Sequence, residues 1–214
     1  YYLEKYIDKY YNDLSLIGKF SNLFFIKRHN ISLNKFKRQF ELKYNFVSAR
    51  NLNQSIYLSS DKLTRINYTL SNPSKSLKSL NLLRNYIGSV SFNKSVSEIL
   101  FSQKQVNNTF DLEELFENNT NLKLDWFFKK YIKSDKLIDF KIYKKDDNFI
   151  IKNILDEDLS FPIPVKIEYL DNTRKNIWVD QISNKSKIVF DKKIRNITVD
   201  PNRLLLEETY KNNK

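Results

Sequence analysis

The sequence contains no cysteine, no methionine, one histidine and two glycines in 214 residues. The absence of cysteine excludes a disulfide framework, thiol chemistry and iron–sulfur clusters. No apolar run approaches the ~20 residues of a membrane-spanning helix, so we expect no membrane span in this chain. Because no initiator methionine is present, we expect Tyr1 to be an internal position of a longer polypeptide.

The formal net charge of +12 lies almost entirely in the first half of the chain. Residues 1–110 carry a net charge of +11, and residues 111–214 carry +1. The basic residues Lys35, Lys37, Arg38 and Lys43 alternate with aromatic residues at helical spacing, which favours a helix with a solvated basic face. The alternative is a surface that binds nucleic acid or another polyanion. Nucleic acid is the less favoured ligand, because the sequence has no glycine-rich loop and no zinc-finger spacing.

The hydrophobic period divides the chain into two parts. Helical spacing recurs over residues 1–14, 32–49, 72–88, 92–103, 111–116 and 124–132. Beyond Ile138 the period changes to two, and about seven short strands follow, separated by turn residues. This pattern predicts an α+β protein with an all-helical domain over residues 1–136 and a small antiparallel β-sandwich over residues 137–214.

Three aromatic residues follow one another at Trp126, Phe127 and Phe128, close to the point where the period changes. Trp126 does not lie on the apolar stripe of its helix, so it needs a packing surface other than the one that covers this stripe. We therefore expect Trp126 to be buried between the helical part and the strands, and Asp125 to face solvent. The alternative is that Trp126 lines a ligand groove with an exposed ring.

The order of several segments resembles the aminopeptidase N type of zinc metallopeptidase, the gluzincins. In that family a Tyr-x-Lys-Gly segment opens a helix that ends in Leu-Arg and a glycine turn, as residues 75–88 do here from the lysine onward. A Leu-x-Trp-Phe-Phe helix then precedes a β domain, and residues 124–128 and 161–165 match these parts. The resemblance covers most of the chain from Ile56 and implies that the helical part is the end of a thermolysin-like catalytic domain.

The zinc ligands of the family have no counterpart in this chain. Two histidines of H-E-x-x-H and a glutamate on the next helix hold the metal there, whereas His29 has no partner at ligand spacing. Glu4 does not match the family's third ligand. That glutamate lies a few residues before a tyrosine-rich helix start, whereas Glu4 follows the pair Tyr1-Tyr2. The resemblance thus implies a C-terminal fragment that forms a wall of the substrate cleft. Zinc and most peptide-substrate contacts would belong to an upstream, metal-bearing half of the same polypeptide.

The family's oxyanion-binding tyrosine stands two residues before the lysine, and this position holds Pro73. Tyr68 is the nearest phenol and is our candidate for a displaced catalytic tyrosine; the alternative is a packed loop aromatic in an inactive relative. The resemblance also places Lys75 and Arg84 at the substrate cleft. Two other classes stay open, a basic binding module and a non-catalytic structural descendant of the peptidase.

Overall fold

A computed structural model describes residues 2–11, 14, 18, 20, 23–25, 38–101, 109–145, 148–155, 160–179, 186–188, 193–208, 211 and 213. Helices occupy the first part of the chain and antiparallel strands the second, which confirms the α+β class. Within these ranges no helix has both the length and the apolar character that crossing a membrane requires.

Five α-helices are described: α1 (Tyr2–Tyr10), α2 (Arg38–Ser48), α3 (Asn72–Ile87), α4 (Ser89–Phe101) and α5 (Thr109–Asn118). Two π-helical turns, Asn67–Ser71 and Trp126–Tyr131, lie before α3 and after α5. Gly88 ends α3 with a φ of 85°, a backbone conformation that glycine adopts without steric cost. The glycine turn expected at the end of this helix is therefore confirmed.

The start of α3 differs from the sequence expectation. In the sequence, Asn72 followed by Pro73 predicts an N-cap with proline at the first helical position. The π-helical turn instead runs directly into α3, which includes Asn72, so this expectation was wrong. Pro73 has no N–H with which to continue the regular ladder. The wider π turn accommodates this loss, because the Asn72 N–H bonds to the Asn67 carbonyl and the Ser74 hydroxyl donates to the Leu70 carbonyl at 2.6 Å.

Six strands form two three-stranded antiparallel sheets in the described part of the chain. The strands are β1 (Phe140–Lys145), β2 (Asn148–Asn153), β3 (Ile163–Tyr169), β4 (Arg174–Val179), β5 (Ser186–Ile188) and β6 (Ile194–Val199). One sheet has the order β1-β2-β5 and the other β4-β3-β6.

The last of the seven expected strands, at residues 204–206, does not form. The Asp200 carboxylate accepts hydrogen bonds from the N–H groups of Leu204 and Leu205 at 2.8 Å each. These donors are therefore not available to a strand ladder, and the expectation of a seventh strand was wrong.

Among the described residues, one hydrophobic core cluster joins the helices to both sheets. Its buried members come from α3, α4, α5, the Trp126–Tyr131 turn, strands β1, β2, β3 and β6, and the segment after β6. Trp126 is 8% exposed and contacts the ring of Tyr86 on α3 at 5.2 Å and the ring of Phe161, just before β3, at 6.2 Å. Asp125 is exposed and pairs with Lys129. The expected position of Trp126 between the two parts is confirmed, and the core continues across the predicted boundary at residue 136.

Candidate functional site

Tyr68, the candidate catalytic tyrosine, lies on the π-helical turn before α3. Its side chain is 59% exposed, and its hydroxyl has no hydrogen-bond partner among the described residues. The ring of Tyr68 is thus mostly exposed rather than packed in the interior. A phenol in this position can donate a hydrogen bond to a ligand anion.

The turn that carries Tyr68 is fixed by its buried neighbour Asn67. The Asn67 amide donates to the Leu52 carbonyl at 2.7 Å and to the Thr64 hydroxyl at 2.8 Å. The same amide accepts the N–H of Gln54 at 3.2 Å. Asn67 is fully buried, so each of these bonds replaces a lost bond to water. The connection before α3 is thereby held against the turn, and Tyr68 projects from a braced segment.

Lys75 follows Tyr68 by two turns of helix and points into the protein. It is 5% exposed, its ammonium donates to the Ser134 carbonyl at 2.5 Å, and the same nitrogen lies 5.9 Å from the centre of the Tyr131 ring. Burial lowers the pKa of Lys75 to about 8, although the nearby charge of Asp135 opposes this shift. In the described part of the chain Lys75 therefore ties α3 to the segment that follows the Trp126–Tyr131 turn.

Arg84, the second expected cleft residue, lies nine residues beyond Lys75 on α3. The rise of an α-helix places it about 14 Å further along the axis. Arg84 is half-buried, and its Nε atom is buried without a hydrogen-bond partner among the described residues. The structure thus does not gather Tyr68, Lys75 and Arg84 into one cluster.

The proposed polyanion-binding residues are described only in part. Lys35 and Lys37, like His29, lie outside the described residues, and the side chain of Arg38 lies outside them as well. Lys43 is half-buried, donates to the Gln39 side chain at 2.8 Å and lies 5.7 Å from the Phe40 ring centre.

Glu4, which could be mistaken for the family's zinc-ligand glutamate, has a structural role. Its carboxylate is buried and accepts the Asn81 amide at 2.9 Å, so it joins α1 to α3. A buried carboxylate in this position needs such a donor to offset its lost hydration.

Three carboxylates that no sequence pattern had grouped come together at the end of α5. One oxygen from each of Glu113, Glu117 and Asp125 lies within 4.8 Å of the others. Lys129 pairs with Glu113 at 3.2 Å and with Asp125, while Lys123 pairs with Glu117 at 2.8 Å. The hydrogen bond from Lys123 lowers the pKa of Glu117. The group is thus an ion-pair network, and the i, i+4 spacing of its two glutamates is the signal that could have found it.

Two further carboxylates are buried near the end of the chain. Burial raises the pKa of Asp200 to about 6 and that of Glu207 to about 8, against the lowering effect of backbone hydrogen bonds. Glu207 accepts the Phe140 N–H at 2.9 Å and the Asn213 amide at 2.8 Å. These contacts attach the C-terminal segment to β1.

Comparison of the chain with protein-family models gives no match, and comparison with curated proteins gives no significant match.

Proposed function

We propose that the chain is the C-terminal part of an aminopeptidase-like zinc metallopeptidase. In this proposal the helices are the end of a thermolysin-like domain, and the two sheets pack as a β-sandwich behind them. The chain supplies one wall of the peptide cleft, and an upstream half of the same polypeptide supplies the zinc site. The observation that carries the proposal is the exposed phenol of Tyr68 on a turn braced by buried Asn67.

Tyr68 has the role of oxyanion donor in this proposal. Attack of water on a peptide carbonyl places negative charge on the carbonyl oxygen, and a fixed phenol O–H stabilises that charge more in the transition state than in the substrate. The bracing by Asn67 supports this role, because a donor already held in place needs no reorganisation during the reaction.

Lys75 has an indirect role. Its bond to Ser134 fixes α3 against the aromatic core, and α3 begins where the Tyr68 turn ends. We therefore treat Lys75 as a positioning residue for the cleft wall.

The test uses the polypeptide that includes the sequence encoded upstream of Tyr1, loaded with zinc and assayed with leucine p-nitroanilide. Loss of one oxyanion donor lowers kcat by about 100- to 1,000-fold, so we expect a fall of this size for Tyr68→Phe. Tyr57→Phe is the matched control, because Tyr57 is also an exposed tyrosine, at 48%, and should retain full activity.

Two results would contradict the proposal. Equal activity of the Tyr68→Phe and Tyr57→Phe variants would remove Tyr68 from the mechanism. If the upstream sequence lacks H-E-x-x-H and the polypeptide hydrolyses no substrate, the chain would instead be a non-catalytic structural descendant of the peptidase.

The charge asymmetry favours a second candidate function, a basic module that binds polyanions. Fluorescence anisotropy with single-stranded DNA over a salt series tests it. A polyanion site predicts tight binding with a steep salt slope that flattens in a Lys37→Gln, Arg38→Gln double variant. The peptidase proposal predicts weak binding that these substitutions leave unchanged.

A further inference from the structure

A cleft of about 190 Å³ opens where the last turn of α3 meets the β4-β3-β6 sheet. Its apolar walls are Trp178 on β4, Pro164 on β3 and Pro201 after β6. Trp178 and Pro164 are paired across the two strands, so their side chains lie next to each other on one face. The Trp178 ring is half-buried and meets the Tyr86 ring at 5.1 Å and 88°. This contact holds the indole in one orientation while part of its surface faces the cleft.

Three amide side chains line the same cleft, Asn85, Asn176 and Asn202, and all three are exposed. Asn85 donates to the Asn81 carbonyl at 2.7 Å, which leaves its amide oxygen as an acceptor toward the cleft. The amides of Asn176 and Asn202 have no hydrogen-bond partner among the described residues. Each can therefore donate and accept at the same time.

The loop that carries Pro201 and Asn202 is held in place by Asp200. The Asp200 N–H donates to the Pro164 carbonyl at 2.8 Å, and its carboxylate accepts two N–H groups further along the loop at 2.8 Å. One side of the cleft is thus fixed to β3, so a ligand would not have to order this loop on binding.

None of the described residues that line the cleft has a charged side chain. On the strands that carry Pro164 and Trp178, Lys166 and Arg174 both pair with the Glu168 carboxylate, at 3.3 Å and 2.9 Å. The described lining, made of the three asparagines and apolar residues, therefore offers a charged ligand no direct counter-charge. The chemistry favours a neutral ligand with an apolar face and with groups that both donate and accept hydrogen bonds.

We propose that this cleft binds one neutral sugar ring, with its C–H face against Trp178 and its hydroxyls on the amides of Asn85, Asn176 and Asn202. A hydroxyl both donates and accepts, as a free amide does, so the two groups are matched. The volume admits a single ring, which makes the site suited to the end or a branch of a glycan. This proposal is independent of peptidase activity.

Saturation-transfer NMR with the intact chain tests the proposal. The probes are the methyl glycosides of glucose, galactose, mannose and N-acetylglucosamine at millimolar concentration, with the free monosaccharides beside them. We expect at least one probe to bind. A methyl glycoside that binds as well as its free sugar indicates recognition of a glycan end, and a preference for the free sugar indicates a monosaccharide ligand.

Variants locate the binding. Asn176→Ala and Asn202→Ala each remove one hydrogen bond and should weaken binding by roughly three- to tenfold, while Trp178→Ala should abolish it. Asn118→Ala, at an exposed position at the end of α5, is the matched control and should bind as the unchanged chain does. Because Trp178→Ala alters a residue packed on the core, the two asparagine variants decide the outcome if that variant fails to fold.

The proposal is overturned if no sugar gives a signal, or if the asparagine variants bind as well as the control. It is also overturned if the sugars fail and the peptide Gly-Pro-Gly binds in the cleft, since the site would then recognise peptide.

Discussion

The ammonium of Lys75 and the carbonyl of Ser134 form a 2.5 Å hydrogen bond between residues 59 positions apart in the sequence. The carbonyl and the face of Tyr131 replace the water that would surround an exposed lysine. This solvation is incomplete, and the pKa of Lys75 falls to about 8 as a result.

We predict that Lys75 makes stability increase with pH in the alkaline range. The pKa is about 8 in the folded chain and near 10.5 in the unfolded chain, so the unfolded state binds more protons between these values. The free energy of unfolding should rise over this range by at most about 3 kcal/mol. Lys75→Met should remove this rise, as measured by urea unfolding at pH 8 and pH 10.5. Lys62→Met, at an exposed site, should retain the rise, and a Lys75→Met variant that retains it would refute the assignment.

Glu207 should have the opposite effect at lower pH. Its pKa rises from 4.5 to about 8 on folding, so its contribution to stability is complete below pH 4.5 and is lost as the pH approaches 8. The loss is at most about 5 kcal/mol. Glu207→Gln keeps the shape and an acceptor for the Phe140 N–H, and it should be less sensitive to pH between 5 and 8 in thermal unfolding. Identical pH profiles for Glu207→Gln and the unchanged chain would contradict this prediction.

Trp126→Ala should destabilise the whole chain. Emptying a buried aromatic site costs about 3 to 5 kcal/mol, which for this length lowers Tm by roughly 6 to 20 °C. Trp126→Phe should recover much of the loss, because a ring still fills the space between Tyr86 and Phe161. Calorimetry measures both variants. A Tm change within about 2 °C for Trp126→Ala would show that the ring contributes little to the core.

Asn67→Ala should loosen the Tyr68 turn without unfolding the core. The substitution leaves the Leu52 carbonyl and the Gln54 N–H without their partner, which costs about 1 to 3 kcal/mol. Hydrogen exchange should become faster over residues 51–71 and stay unchanged in β3. Asn118→Ala provides the control, and equal exchange in both variants would show that Asn67 does not brace the turn.

Local patterns account for the features that the sequence predicted well. The change of hydrophobic period near Ile138 located the passage from helices to strands, and Gly88 marked the end of α3, because both signals depend only on neighbouring residues. The position of Trp126 was also predictable, since an aromatic side chain off the stripe of its own helix needs a second surface to cover it.

Non-local contacts account for the features that were missed. A lysine is ordinarily an exposed residue, and nothing near Lys75 in the sequence indicates that the Ser134 carbonyl will accept its hydrogen bond. The apolar stripe at 124–132 does not distinguish an α-helix from the π-helical turn that forms there. The sequence of residues 204–206 is typical of a strand, but the N–H groups of Leu204 and Leu205 donate to the Asp200 carboxylate instead of to a neighbouring strand.

The single core also has a consequence for synthesis on the ribosome. Chains emerge from the N-terminus at roughly 5 to 20 residues per second, and Trp126 therefore leaves the exit tunnel before Phe161 and Leu205, which complete the cluster. During that interval the aromatic face of the nascent helices has no sheet to cover it. We expect folding to be delayed until the last strands have emerged, and the nascent helical part to be a substrate for chaperones in the meantime.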